Sequence, residues 1–306
     1  MLGCGKASMR ETMVNNPSEP YSIKAVSKYI EQICFDVEKR ITGHSVVDSN
    51  IWAKANSVRH AQTIIEIVHY AKKKNNNRLR ILNASGLSCG HQDFSIATFL
   101  REQTDINFEW VAFESPYSEY LNHNVFKNYV SELKLKLILS DFKESIEPYH
   151  EDDNMYDVIL FTEIAEHLDN SVLLRSLLAI RKKIEAYGIL IITTPNLVSL
   201  VNRIRILFGD GDRPYYGDGK RNYEKGLYGH IVNYDLKRME RLLQDIGFNL
   251  KKAQTFTYGN GPIENKYRLI MTKLIKVLSL LGKKLGTTLF IVAEKSDDMK
   301  KIPFQI

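Results

Sequence analysis

Two short apolar runs, Val158-Ile159-Leu160-Phe161 and Ile189-Leu190-Ile191-Ile192-Thr193, are separated by a stretch with a different period. Across residues 171–186, Leu173, Leu177, Ile180 and Ile184 recur at helical spacing, and Leu174 and Leu178 widen the stripe. A strand, a crossover helix and a second wholly apolar strand form a βαβ unit, whose strands run parallel with both faces covered. Polar residues gather where each run ends. Thr162, Glu163, Glu166 and His167 follow the first run, and Thr194, Pro195 and Asn196 follow the second. In open parallel sheets ligands sit beyond the carboxyl ends of the strands, so chemistry is expected there.

The same alternation extends upstream. Strands are expected at residues 79–84, 108–114 and 135–139, with helices at 94–102 and 117–134 between them. The fold class is therefore α/β, a doubly wound and mostly parallel sheet. Helical patterns precede it at residues 21–40 and 53–74; the second closes on Lys72-Lys73-Lys74, favourable at a helix C-terminus. After Asn196 the pattern changes to a helix at 197–208, a loop at 209–229 and a helix at 234–247. Residues 252–258 and 287–294 then form a closing pair of strands, with an amphipathic basic helix inserted at 263–284. The organisation expected is an arm and helix over 1–52, the α/β domain over 53–296 and a tail over 297–306.

A chain of 306 residues buries a full core. Its three cysteines, Cys4, Cys34 and Cys89, have no paired-ligand spacing, which suits a reducing, cytoplasmic setting and offers no metal site. The start lacks the apolar run of a secretory signal, and no stretch approaches the roughly 18 apolar residues of a membrane span. The net charge of +6 is uneven: from residue 251 onward eleven Lys or Arg face four Asp or Glu, so the preceding part is close to neutral. No basic face with interleaved aromatics points to nucleic acid.

The first expected strand enters a small-residue turn, Asn83-Ala84-Ser85-Gly86-Leu87-Ser88-Cys89-Gly90, that opens a helix at His91. Such a turn lets a ligand approach the backbone, and the helix N-terminus offers unpaired N–H groups. Glu114, at the end of the next strand, is placed to accept two ribose hydroxyls. Asp141 and Phe142, after the third, offer a polar group and a ring face for a purine. A competing match is Gly86-Leu87-Ser88-Cys89-Gly90, which fits the G-x-S-x-G nucleophile elbow and admits a Ser88 esterase. A hydrolase needs several strands before its elbow, and the first 78 residues read as helix and loop.

Three segments carry a family resemblance: residues 156–168, residues 188–203 with Thr194-Pro195-Asn196 and Ser199 to Arg203, and Gly229-His230 leading to Gly247-Phe248. On these the chain resembles the class I S-adenosylmethionine-dependent methyltransferases, in particular a bacterial group tied to surface-polysaccharide and related biosynthesis. The resemblance covers residues 53–294. It implies a seven-stranded sheet whose last strand is antiparallel, with S-adenosylmethionine as cofactor. By position, Asn83, Ala84, Ser85, Gly86 and Gly90 would hold the methionine moiety, Glu114 the ribose, and Asp141 with Phe142 the adenine. Thr162 and Glu163 would lie beside the sulfonium. The first turn departs from the family's acidic-x-Gly-x-Gly-x-Gly pattern. Counted from Asn83, its three glycine positions hold Ser85, Leu87 and Cys89. A binding or scaffold protein that kept the fold without catalysis is the alternative this departure raises.

Methyl transfer from a sulfonium is an in-line substitution, so positioning dominates and a base removes an acceptor proton. His230 and His167 are the candidate bases. The loop at 209–229, with Arg213, Tyr215 and Tyr216, is expected to bind the acceptor together with Arg203. That acceptor is expected to be a small molecule or a glycan. The helix at 263–284 either packs on its own domain or meets an anionic membrane surface.

Overall fold

The protein, seen in a computed structural model, is described for residues 21–75, 78–87, 90–140, 154–207, 232–257 and 284–296. The expected loop at 209–229, the inserted helix at 263–284 (Lys284 apart) and residues 141–153 lie outside them. The described residues fall into two compact units. One is drawn from the chain up to Leu79, from Leu87–Trp110 and from Ser118–Lys136. The other takes Arg80–Gly86, Val111–Tyr117 and the chain from Leu137 onward.

The first unit is helical. Helix α1 spans Ile23–Val37, and Val26, Ile30, Cys34 and Val37 form its buried face. It passes into a π-helical turn, Glu38–Thr42, that ends on Gly43 in the left-handed region. Helix α2 spans Val46–Lys74, starting well before the expected residue 53 and running unbroken through residues 52 and 53. Its start follows from Ser45, whose Oγ accepts the Asp48 N–H at 3.1 Å and donates to the Asp48 carboxylate at 2.6 Å. This Ser-x-x-Asp cap was legible in the sequence, although no apolar period marks the first two turns. Helix α3 spans His91–Gln103 and α4 spans Asn124–Glu132. The Phe94 ring is stacked on Tyr129 at 4.8 Å and meets Phe126 edge-on at 5.4 Å. Trp110, fully buried, donates its indole N–H to Asp93 at 2.7 Å.

The sheet has seven strands: β1 Arg78–Asn83, β2 Asn107–Glu114, β3 Lys136–Leu139, β4 Tyr156–Thr162, β5 Ile184–Pro195, β6 Phe248–Phe256 and β7 Thr288–Lys295. Their order is β3-β2-β1-β4-β5-β7-β6. Strand β7 runs antiparallel to β5 and β6, and the other six are parallel. The doubly wound class and the antiparallel final strand are thus as the sequence led us to expect. In the second unit, α5 (Asn170–Lys183) crosses over from β4 to β5. Asp169 caps it, accepting N–H groups of Ser171 at 2.8 Å and Val172 at 2.9 Å. Helices α6 (Leu200–Leu207) and α7 (Leu236–Asp245) follow β5. The core packs Leu173, Leu177 and Ile180 of α5 and Met239 and Leu243 of α7 with Leu82, Ile159, Phe161, Leu190 and Ile192 of the sheet.

Strand β5 begins at Ile184, where helix was expected to continue to 186, because the register shifts between Tyr156 and Val158 of its partner. In that connection Tyr187 sits at φ 66° with its side chain exposed. A left-handed non-glycine residue costs about 1–2 kcal/mol, part of which glycine recovers. Tyr187→Gly is therefore expected to stabilise the protein by about 1 kcal/mol in urea unfolding, and a loss of stability would refute this account of the turn.

Candidate functional site

Parallel pairing sets Asn83 opposite Leu160 and Thr162 opposite Thr193, so β4 ends two residues beyond β1 and β5 two residues beyond β4. From β1 the sheet runs outward to β2 and β3, and from β4 outward to β5, β7 and β6. The topological switch point therefore lies between β1 and β4, where a ligand crevice is expected in such sheets.

The turn after β1 is held from within. Asn83 is fully buried; its Oδ1 accepts the Ser85 N–H at 2.9 Å and its Nδ2 donates to the Gly86 carbonyl at 3.3 Å. The Ala84 N–H pairs with the Leu160 carbonyl at 2.8 Å, the last backbone rung between these strands. Ser85 then adds a side-chain rung, its Oγ accepting the Thr162 N–H at 2.6 Å and lying 3.4 Å from the Leu160 carbonyl. A hydroxyl thus bolts β1 to β4 where the resemblance led us to expect glycine. Gly86, at φ 89°, keeps open space: among the described residues an added Cβ would meet only the Phe113 carbonyl, at 3.9 Å. The backbone remains approachable at this point of the turn.

Glu114 ends β2 with its side chain buried and Oε1 accepting the Ser115 N–H at 3.1 Å. After β4, Glu163 takes φ 54°, a strained value for a non-glycine residue, and its N–H reaches the Thr193 carbonyl at 2.7 Å. Such outliers persist where surrounding structure enforces them, often at working sites. Thr193, missed in sequence reasoning, is fully buried, and its Oγ1 has no hydrogen-bond partner among the described residues.

Other expected site residues also make hydrogen bonds within the fold. Glu166, almost wholly buried, accepts the Thr194 hydroxyl at 2.8 Å, and its carbonyl takes the Val232 N–H at 3.2 Å. His167 closes the 3-10 turn Ala165–His167, half-buried, with its N–H on the Ile164 carbonyl at 3.0 Å. The exposed Arg203 donates Nε to the Val198 carbonyl at 2.8 Å. Asn196 is a clamp: Nδ2 donates to the carbonyls of Lys284 at 3.0 Å and Gly286 at 2.7 Å, while Oδ1 accepts the Val198 N–H at 3.2 Å. Gly90 belongs to the helical unit as the N-cap of α3 at φ 81°, and the Phe94 ring fills the space a Cβ would take, 2.3 Å away. Its lack of a side chain serves packing against Phe94. Ser88, Asp141, Phe142, Arg213, Tyr215, Tyr216 and His230 lie outside the described residues.

Within the sheet unit, the polar or open residues that lie at or just beyond the strand ends are Ser85, Gly86, Glu114, Thr162, Glu163 and Thr193, of which Ser85 touches Thr162 and Glu163 pairs with Thr193 through the backbone. Two carboxylates, three hydroxyls and one open glycine suit a ligand that carries both hydroxyl groups and positive charge. They fit S-adenosylmethionine in charge and polarity. No group of three or more His, Cys, Asp or Glu able to hold a metal occurs among the described residues.

No family model matches the sequence, and no curated protein is similar to it. Solved structures are similar in fold. An S-adenosylmethionine-dependent methyltransferase from Archaeoglobus fulgidus is 16% identical over 85% of this chain and 99% of its own, with a TM-score of 0.47. The magnesium protoporphyrin IX methyltransferase of Synechocystis, crystallised with SAH, is 15% identical over 90% and 99%, with a TM-score of 0.45. A putative sarcosine dimethylglycine methyltransferase from Galdieria sulphuraria is 13% identical over 78% and 88%, with a TM-score of 0.46. Likeness of this degree carries no argument about function. The fold class rests on the strand order and pairing themselves. They also count against the esterase: β1 is the first strand among the described residues, whereas a nucleophile elbow follows a series of strands.

Proposed function

We propose that the protein is an S-adenosylmethionine-dependent methyltransferase acting on an oxygen of a sugar or of a nucleotide- or lipid-linked glycan. The observation that supports this reading is the pair of carboxylates Glu114 and Glu163 at the carboxyl ends of β2 and β4, together with the Gly86 turn that follows β1. Bound there, the cofactor supplies a methyl group carried on a sulfonium. Glu114 accepts the two hydroxyls of its ribose. The Glu163 carboxylate, held by a strained backbone, offers negative charge to the cationic end. Asp141 and Phe142 bind the adenine in this reading, and Asn83 acts indirectly by setting the turn. His167 or His230 takes the acceptor proton, while Arg203, Arg213, Tyr215 and Tyr216 hold the acceptor. The basic segment at 263–284 meets an anionic membrane surface, where a lipid-linked acceptor would reside. Among the described residues no helix is long and apolar enough to cross a membrane.

Calorimetry with S-adenosylmethionine and its demethylated product tests the reading directly. Both are expected to bind, and Glu114→Ala is expected to weaken each by about 10–100-fold, the loss of charge-assisted hydrogen bonds. Absence of binding heat for the wild-type chain would reject it and favour the scaffold reading.

A further inference from the structure

The helical unit contains a buried titratable cluster that the proposed chemistry does not use. Glu38, the first residue of the π-helical turn, is buried between two histidines. Its Oε2 lies 3.2 Å from His44 Nδ1 and its Oε1 lies 3.4 Å from His91 Nδ1. The His91 ring is stacked on that of His60, with centroids 5.3 Å apart and planes at 25°. His60 is fully buried between Arg59 Nη2, 3.4 Å from its Nε2, and Cys34 Sγ, 3.5 Å from its Nδ1. Arg59 also holds Asn56 Oδ1 at 3.1 Å, and Ser95 Oγ lies 3.1 Å from Cys34 Sγ. The cluster thus ties α1, the π-turn, α2 and α3 together.

Arginine only donates, so His60 Nε2 must accept from Arg59, and the single ring proton sits on Nδ1, facing Cys34 Sγ. That arrangement holds only for neutral imidazole. A second proton would replace the Arg59 hydrogen bond by two cations 3.4 Å apart, with the His91 ring stacked alongside. We propose that this cluster is an acid-operated latch, in which protonation of the stacked His60–His91 pair parts α1, α2 and α3 and opens the helical unit.

The charges facing the pair come from every packed element. Glu38 lies on the π-turn, His44 on the following loop and Arg59 on α2, while Glu31 of α1 acts on the neighbouring Cys34. Burial, then Arg59, then the His91 ring hold His60 well below the usual histidine range. Burial, then Arg59, bring His91 down to about 3. For both, the unfolded chain binds the proton more readily. Their stabilising contribution is therefore complete above pH ~6.5 and is lost as pH falls toward the folded values. Glu38 works in the opposite sense, since burial raises its carboxyl and His44 only partly offsets this. It adds stability as pH falls through its raised value, opposing the two histidines.

The chain contains two tryptophans, Trp52 and Trp110, and both lie in the helical unit, so intrinsic emission reports on that unit alone. Titrating the full chain from pH 8 to 4.5 is expected to shift the emission to the red below pH ~6.5, reversibly. His60→Gln should move the midpoint to lower pH by about one unit, because a neutral amide replaces a titrating ring. Glu38→Gln should move it up, because it removes the anion that faces His91 and His44. Emission that stays unmoved to pH 4.5, or midpoints that coincide in all three proteins, would overturn the latch. Should His60→Gln not fold at neutral pH, Cys34 gives a second readout in a chain carrying Cys4→Ser and Cys89→Ser. Labelling of this buried thiol by dithiodipyridine, which reacts in acid, is expected to speed up about tenfold between pH 7.5 and 5. A constant or falling rate would again refute the opening.

Discussion

Gly90→Ala is expected to destabilise the protein by about 3 kcal/mol, whereas Gly86→Ala should cost only about 1 kcal/mol. Both glycines have positive φ, 81° and 89°, so backbone strain alone does not separate them. The difference lies in what surrounds each. A Cβ at Gly90 would fall 2.3 Å from the Phe94 ring, and that ring is pinned between Tyr129 at 4.8 Å and Phe126 at 5.4 Å. Relief requires the whole aromatic stack to shift, an overpacking penalty added to the strain. At Gly86 the nearest atom of the described residues, the Phe113 carbonyl, is at an ordinary 3.9 Å, so the methyl meets no such overlap there. Under the proposed function the two substitutions also differ in binding. Gly86→Ala should weaken cofactor binding while the fold survives, and Gly90→Ala should lower stability first. Urea unfolding together with calorimetry checks both, and equal stability losses would remove the distinction.

Asn196→Ala is expected to cost about 3–4 kcal/mol, near the upper end for a single polar substitution. The side chain makes three hydrogen bonds at once, to the carbonyls of Lys284 and Gly286 and from the N–H of Val198. It is buried, as is its bond to Gly286, so truncation leaves the Gly286 carbonyl without this partner away from water and removes two part-buried bonds as well. The Asn196 N–H also pairs with the Thr287 carbonyl at 2.8 Å, so the loss falls where β5 meets the approach to β7. Asn196→Asp should be no better, because a carboxylate would face two carbonyl oxygens. Urea unfolding measures the loss, and amide exchange along β7 should accelerate before that of β1. An effect below about 1 kcal/mol would show that the clamp is not needed.

The order of the elements was legible because hydrophobic period is local. The β4–α5–β5 unit, the seven strands and the closing pair all followed from spacing within short windows. Boundaries slipped where a local cue was overlooked, as at the Ser45 cap of α2, or where packing overrode period, as at Ile184. The candidate site was legible in part. Glu114 and Glu163 stand at the strand ends where their positions had put them, while Arg203 is tied to its own helix turn and Thr193 was not suspected.

By itself, the sequence determined the layer architecture, the parallel core and the level at which polar residues collect, since alternation and helical spacing act through neighbours a few residues apart. Only the tertiary structure decided the work of individual polar groups. Ser85 bolts Thr162 across 77 residues, Asn196 clamps Gly286 across 90, and Cys34 meets His60 across 26. Partners at such separations are chosen by how strands and helices pack, and no local pattern encodes which of several serines, asparagines or histidines will find a buried donor.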